Sequence, residues 1–486
     1  MKRRRKGTAV APPVTEPWLR EAQRSGMLDW LGAYGQQVPM LKSTTRQTSA
    51  LHLAVAAAPT SAHGLYAGED LMTGWPVFHD PIEGYRLKTV LSPNVACIGD
   101  VGGGKSSFSK TWVVLRNLML GRRVVVVDKK MQFAGEEDGV HEGEYSPLAR
   151  LLGVQPVRFT GKSGGVRINP MDPVITGHGG LAADDLELLK AILLEVIGRP
   201  LTPDESKALR VARTAAVDQA KHEGRPATIL DINRYLLEPD EEFINSLPGS
   251  WSAREYADWG RHIGFALEEC VEGDLAGLID GETSKEITLT GGLTVFDISA
   301  LPDNGPAVPV VMAIINTWLR STLLAQRTAV PTYFVIEEGW HLVEGSFATI
   351  SQQNTKKSRG LSLSTVTNYQ HLSDVPENSP AIATIKEAGT VAIFRQVRTD
   401  DAVQCQELFG LPKSATELIK NLAPGCCLLK IGNSPAVLMR AHRSRTEAAI
   451  ADTDGALLSR ARVALEGQSV PGAEAGELAL AGGELT

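Results

Sequence analysis

Cysteine is scarce. Cys97, Cys270, Cys405, Cys426 and Cys427 are five thiols among 486 residues, with neither a disulfide framework nor paired metal-ligand spacing. They read as small core residues of a protein in a reducing compartment. The 10 histidines are scattered without ligand spacing, and no Ser/His/Asp arrangement suggests acyl-transfer chemistry. No run of about 18 uncharged apolar residues occurs. The nearest candidate, Val308 to Leu324, is interrupted by Asn316 and Arg320 and reads as a buried helix. The basic start Met1-Lys2-Arg3-Arg4-Arg5-Lys6 has no apolar stretch after it, so it does not read as a secretory signal. A solvated tail is the simpler reading, with contact to nucleic acid or an anionic membrane surface as the alternative. The net charge of −7 supplies no global basic field, so any DNA or RNA contact would be local. From Val463 onward Lys and Arg are absent, while Glu466, Glu474, Glu477 and Glu484 stand among Ala and Gly, which predicts a flexible acidic tail. There is no internal repeat.

The remainder is ordinary for a soluble globular chain, at 43% hydrophobic and 22% charged, and long enough for two or three domains with ample core. Against that background one segment carries chemistry. Gly99-Asp100-Val101-Gly102-Gly103-Gly104-Lys105-Ser106 fits G-x-x-x-x-G-K-[ST]. Before it, Asn94 to Ile98 reads as a short buried strand. After it, Ser107 to Leu120 carries Phe108, Trp112, Leu115 and Leu118 at helical spacing. A strand, a glycine loop and a helix in that order aim backbone N–H groups and the positive helix end at one point, an anion site shaped for a triphosphate. Gly99 to Ser107 are therefore the nucleotide-binding candidates. Lys105 would reach the β and γ oxygens of ATP, and the Ser106 hydroxyl would sit on Mg²⁺.

Hydrolysis also needs a carboxylate for the Mg²⁺ shell and one that polarises water. The apolar run Thr332-Tyr333-Phe334-Val335-Ile336 ends in Glu337-Glu338. Glu337 is the metal-shell candidate and Glu338 the catalytic base, with an exposed acidic turn as the plain alternative. The next strand, Leu363 to Thr367, leads into Asn368-Tyr369-Gln370, where Gln370 is chosen to sense the terminal phosphate or orient water and Asn368 is the second choice. Arg395, after the strand Val391 to Phe394, is a candidate cation for a neighbouring subunit's nucleotide.

Arg122 to Asp128, with four consecutive valines, predicts a fully buried parallel strand. From about 176 to 286 the texture is helical. Leu186, Leu189, Leu193 and Val196 keep one face, Gly198 stops that helix, and Thr202-Pro203-Asp204-Glu205 and Thr228-Ile229-Leu230-Asp231 open further helices. A strand-like lead-in is expected at Gly84 to Leu91, and strands resume at Leu293 to Asp297 and at Cys427 to Ile431. The fold class is α/β: a P-loop NTPase core with a mostly parallel sheet, over 86–175 and 287–445, and an all-helical insertion at 176–286. A disordered basic tail (1–14), a short N-terminal region (15–85) with amphipathic pieces around Trp18, Leu19, Met27, Trp30 and Leu31, and a C-terminal helix with the acidic tail (446–486) complete the expected organisation.

With these residues placed, the order of motifs resembles the TraC-type ATPases of conjugation and type IV secretion, in the HerA–FtsK superfamily, and is close to actinobacterial members on mobile elements. The resemblance runs from about Thr44-Thr45-Arg46-Gln47 to about Arg445. It includes Gly64-Leu65-Tyr66-Ala67-Gly68-Glu69-Asp70, Gly121-Arg122-Arg123 with Val124 to Asp128, Arg167-Ile168-Asn169-Pro170-Met171-Asp172 and Gln370-His371-Leu372-Ser373-Asp374. It implies that the α/β core is RecA-like, and a hexameric cytoplasmic motor that uses ATP and Mg²⁺ at the inner face of the membrane, partnered by secretion-channel proteins. Two alternatives stay open. One is a DNA translocase or coupling protein, against which the mild acidity and the lack of an apolar span argue. The other is an ATP-binding scaffold with little hydrolysis. Three departures accompany the likeness. The family's D-P-K-G-E-[YW] is split here, Asp128-Lys129-Lys130 standing apart from Gly143-Glu144-Tyr145 with Glu136, Glu137 and Asp138 between; the acidic pair is Glu-Glu rather than Asp-Glu; and the region ahead of the core is short.

Overall fold

The computed structural model describes residues 64–451, apart from 134–140, 162–164, 178–181, 248, 250, 340–357, 374 and 377–378. The basic start, the pieces around Trp18 to Leu31, the Thr44-Thr45-Arg46-Gln47 stretch, Glu136-Glu137-Asp138 and the acidic tail lie outside the described residues.

In chain order the strands are β1 (Leu65–Asp70), β2 (Pro76–His79), β3 (Val95–Ile98), β4 (Arg123–Asp128), β5 (Met131–Phe133), β6 (His141–Gly143), β7 (Val157–Arg158), β8 (Leu293–Asp297), β9 (Thr332–Ile336), β10 (Leu363–Tyr369), β11 (Thr390–Ile393), β12 (Cys426–Ile431) and β13 (Val437–Ala441). Among the described residues, 11 of them build one sheet in the order β2-β1-β13-β12-β11-β3-β10-β9-β4-β8-β7, and β5 pairs with β6 alone. From β11 to β7 every neighbour is parallel. From β11 to β2 every neighbour is antiparallel.

The valine run explains the layering. Successive side chains of a strand point to opposite faces. Accordingly Val125 and Val127 join the apolar cluster on one side of the sheet, while Val124 and Val126 join the other. Ala96 and Ile98 divide from Val95 and Cys97 in the same way. Both faces are covered, so these strands carry no polar alternation. All five cysteines are free and buried, and burial pushes the Cys97 thiol up to about 12.

Between β7 and β8 the described chain is helical: Pro173–Thr176, Ala182–Ile197, Pro203–His222, Ile229–Leu237, Glu241–Ser246 and Ala253–Glu272. Three of these open on reciprocal capping boxes, Thr202/Glu205, Thr228/Asp231 and Ser252/Glu255. Each cap contributes about 1 kcal/mol by satisfying N–H groups that the helix cannot. Gly198 follows the second helix at φ 75°, as its place in the sequence suggested. Helix Ala307–Leu324 is, among the described residues, the one long and apolar enough to cross a membrane, yet 78% of it is buried inside the protein. Trp318 meets Phe296 edge-on there, with centroids 5.2 Å apart. It is a core helix.

One expected strand is corrected. The segment Gly84 to Leu91 holds no strand; Pro81–Arg86 is a helix and the chain then turns through Lys88 at φ 60°. The cause is local. Asp80 caps the helix, accepting from the N–H groups of Ile82 (3.0 Å) and Glu83 (3.1 Å), and Pro81 is preset for the first turn.

His79, at the end of β2, is 5% exposed, shares a 2.6 Å hydrogen bond with the Thr390 hydroxyl and lies by the Trp112 ring. Burial pushes its imidazole from 6.5 down to about 4, partly offset by Asp80. The unfolded chain takes up this proton near its ordinary value and the folded chain resists it, so stability is full above about pH 6.5 and is lost on acidification towards pH 4. Denaturant titrations should show a loss of about 2 kcal/mol at pH 5 relative to pH 7.5. His79→Gln should remove most of that difference; an unchanged difference would exclude His79 as its source.

Candidate functional site

The P-loop is built where β3 ends. Gly102 (φ 77°) and Gly104 (φ 102°) take left-handed backbone that a side chain resists. A Cβ on Gly104 would also stand 2.8 Å from the Gly425 nitrogen, where the chain enters β12. That approach is used structurally, because the Gly425 N–H donates to the Gly103 carbonyl at 2.9 Å. Gly104→Ala is therefore expected to cost about 1–3 kcal/mol in denaturant titrations and to weaken ATP binding by more than about tenfold. An alanine variant with wild-type binding would contradict this account of the loop.

The helix that follows starts at Lys105, leaving its first-turn N–H groups without intrahelical acceptors and directed at the loop. It runs as α-helix over Lys105–Phe108, as π-helix over Ser109–Leu115 and as α-helix again over Arg116–Met119, so the expected single helix contains a wider central stretch. Such wide turns concentrate at functional sites. Phe108 and Trp112, both on this helix, stack with ring centroids 5.0 Å apart. Lys105 is 8% exposed, and its Nζ donates to the Gly99 carbonyl at 2.9 Å, folding the side chain across the loop. Burial draws its ammonium below the ordinary lysine value, while Glu337 and Glu338 pull it back up.

The sheet order brings the other candidates to the same edge. β10 lies between β3 and β9, and all three are parallel, so their carboxyl ends open together. A cleft of about 760 Å³ results, lined by Gly102, Lys105, Ser106, Glu337, Glu338 and Gln370 among others. Glu337 is 4% exposed and accepts a short hydrogen bond from the Tyr145 hydroxyl. Burial, reinforced by Glu144, raises its carboxyl above the ordinary range. Glu338 is half-buried at the cleft, and the Gln370 amide stands 3.4 Å from each of its oxygens.

Two candidates behave differently. Asn368 is 1% exposed, accepts from the Ser109 hydroxyl at 3.2 Å and does not line the cleft. Arg395 lies behind the loop, where its carbonyl accepts from the Asp100 N–H at 2.9 Å. Its side chain does not line this cleft, so the structure does not bring it together with Lys105 and Glu338.

Sequence reasoning passed over a cluster next to Glu337. The β5–β6 pairing carries the chain from Lys130 back to Gly143, restoring in space the motif that is split in sequence. Asp128 accepts from the Tyr145 N–H at 2.6 Å, and its register partner Asp297 accepts from the Gly143 N–H at 3.0 Å. A Cβ on Gly143 would stand 2.5 Å from Asp128 Oδ2, which is why glycine occupies that corner. Gly143-Glu144-Tyr145 was the available signal, but its separation from Asp128 concealed the contact. The contribution of Gly425, Arg440 and His442 to the cleft lining was also unforeseen.

The donor set fits Mg²⁺. Among the described residues no group of three or more His, Cys, Asp or Glu side chains could hold a metal by itself. Mg²⁺ commonly takes one or two protein oxygens together with phosphates and waters, and Ser106 and Glu337 line the cleft beside the loop.

The solved structure of VirB4 of Thermoanaerobacter pseudethanolicus matches 80% of this chain and 100% of its own, with 20% identity and a TM-score of 0.63. The bacterial conjugative coupling protein TrwBdeltaN70, in its unbound monoclinic form, matches 79% of this chain and 89% of its own, with 13% identity and a TM-score of 0.50. No protein-family model and no curated protein sequence matches the chain. The shared architecture is the RecA-like P-loop NTPase fold.

Proposed function

We propose that this chain is an ATP-hydrolysing motor that energises conjugative DNA transfer or type IV secretion. The observation that carries the proposal is the convergence of Lys105, Ser106, Glu337, Glu338 and Gln370 on one cleft. The fold shared with VirB4 and with a conjugative coupling protein, together with the motif order, supports this use of the cleft.

In this reading the N–H groups of Gly102 to Ser107 and the Lys105 ammonium bind the triphosphate of ATP. Ser106 and Glu337 hold Mg²⁺, which when bound neutralises charge on the terminal phosphates. The Tyr145 hydroxyl fixes the Glu337 carboxylate. Glu338 accepts the proton of the attacking water, and Gln370 holds the Glu338 carboxylate and that water in line. The proposed assembly is a homo-hexamer at the cytoplasmic face of the membrane, contacting channel proteins, with Arg395 serving a neighbouring subunit's nucleotide.

The test is ATP turnover by the purified protein with and without single- and double-stranded DNA. Turnover that DNA leaves unchanged fits the secretion motor, and strong stimulation by DNA favours a translocase or coupling protein instead. ATP binding without turnover would refute the motor and leave a nucleotide-dependent scaffold. Arg395 is tested separately by mixing: if it acts across a subunit boundary, Arg395→Ala and Glu338→Gln chains, each inactive alone, should recover part of the turnover together.

A further inference from the structure

Glu144 holds two ammonium groups of different freedom. Lys110 Nζ is 2.8 Å from Oε1, and its side chain is 0% exposed. It lies on the π-wound part of the helix after the P-loop, 5.2 Å from the centre of the Tyr145 ring. Lys130 Nζ is 2.9 Å from Oε2, but its side chain is 40% exposed and lines the nucleotide cleft. The Lys130 backbone is fixed on both sides, its N–H donating to Asp128 at 3.1 Å and its carbonyl accepting from the Glu144 N–H at 3.0 Å. Only the side chain can move. The preceding Lys129 does not line the cleft and pairs with Asp303 at 2.6 Å.

This doubling has an energetic consequence. Removing the one partner of a buried carboxylate leaves an uncompensated charge and is strongly unfavourable. Glu144 has two, and Lys110 has no route to solvent, so Lys130 can leave while Glu144 stays neutralised. Burial by itself would raise the Glu144 carboxyl, yet Lys110 and Lys130 together hold it at about 2. Partial burial opposes the Lys130 ammonium, but Glu144, with Glu337 and Glu338 beyond it, raises it above the ordinary lysine value. A transferring phosphoryl group spreads charge over its oxygens, and a cation placed beside it stabilises that charge.

We propose that Lys130 is a second phosphate-binding cation, whose ammonium exchanges between Glu144 and the terminal phosphate of a nucleoside triphosphate while Lys110 keeps Glu144 paired. The proposal rests on the nucleotide reading above and adds a residue that discriminates triphosphate from diphosphate. Lys105 serves both nucleotides through the loop; Lys130 serves only the one with a γ-phosphate.

The experiment compares affinities for a non-hydrolysable ATP analogue and for ADP, each with Mg²⁺, in the wild type, Lys130→Met and Lys130→Arg. Lys130→Met should weaken the analogue by about tenfold to a hundredfold and change ADP by less than about twofold. Lys130→Arg, which keeps the charge, should retain most of the preference for the analogue. Equal weakening of both nucleotides by Lys130→Met would assign Lys130 to loop structure and overturn the proposal, as would no change in either. A wild type that binds neither nucleotide would overturn the nucleotide reading itself, and so is distinguishable from a failure of Lys130 alone.

Discussion

Lys105→Ala is expected to lower ATP turnover by at least about a thousandfold, through lost binding and lost stabilisation of charge on the transferring phosphate. The protein should stay folded. Among the described residues, Lys105 Nζ hydrogen-bonds the Gly99 carbonyl, and losing that bond costs about 1 kcal/mol. Burial already disfavours the ammonium, so its removal relieves a desolvation cost. The expected signature is a near-normal unfolding transition with nucleotide affinity abolished. A variant that keeps wild-type turnover would remove Lys105 from the site.

Glu338→Gln should separate binding from chemistry. The substitution keeps the shape beside Gln370, whose amide lies 3.4 Å from both Glu338 oxygens, and removes the negative charge and with it the ability to accept a proton. Loss of a positioned general base lowers turnover by about 10²–10⁴. Single-turnover measurements should show that loss with ATP affinity unchanged. If turnover survives, Glu338 is not the base. Glu337→Gln provides the contrast, because its carboxylate is assigned to the Mg²⁺ shell: the expected change is a higher Mg²⁺ requirement.

Much of this site was legible because its signals are local. The P-loop glycines, the valines of β4 and the apolar run of β9 ending in two acids are each contiguous, and each reports burial or a tight turn directly. The capping boxes at Thr202 and Thr228 are local in the same sense. What escaped depends on pairing between distant segments. β1 joins β13 at the far end of the described chain, with Gly68 opposite Ala441. A Cβ on Gly68 would stand 2.0 Å from the Arg440 carbonyl oxygen, so that glycine answers a partner the local sequence cannot reveal. The strands β5 and β6 are three residues each, too short for a period to register. Nothing in the sequence around Lys110 links it to Lys130, and only the fold sets both against Glu144. Arg395 shows the converse: its place after a strand suggested a cation aimed at a phosphate, whereas within this subunit its peptide anchors Asp100.

The central claim is that one nucleotide bridges the loop and the paired glutamates. A crystal structure with Mn²⁺ in place of Mg²⁺ and a non-hydrolysable ATP analogue tests it most directly, because the metal is located by its anomalous signal. The account predicts the terminal phosphate beside Lys105, the metal between Ser106 and Glu337, and Glu338 facing the γ-phosphate across a water. A nucleotide bound away from the P-loop, or a metal remote from Glu337, would contradict it.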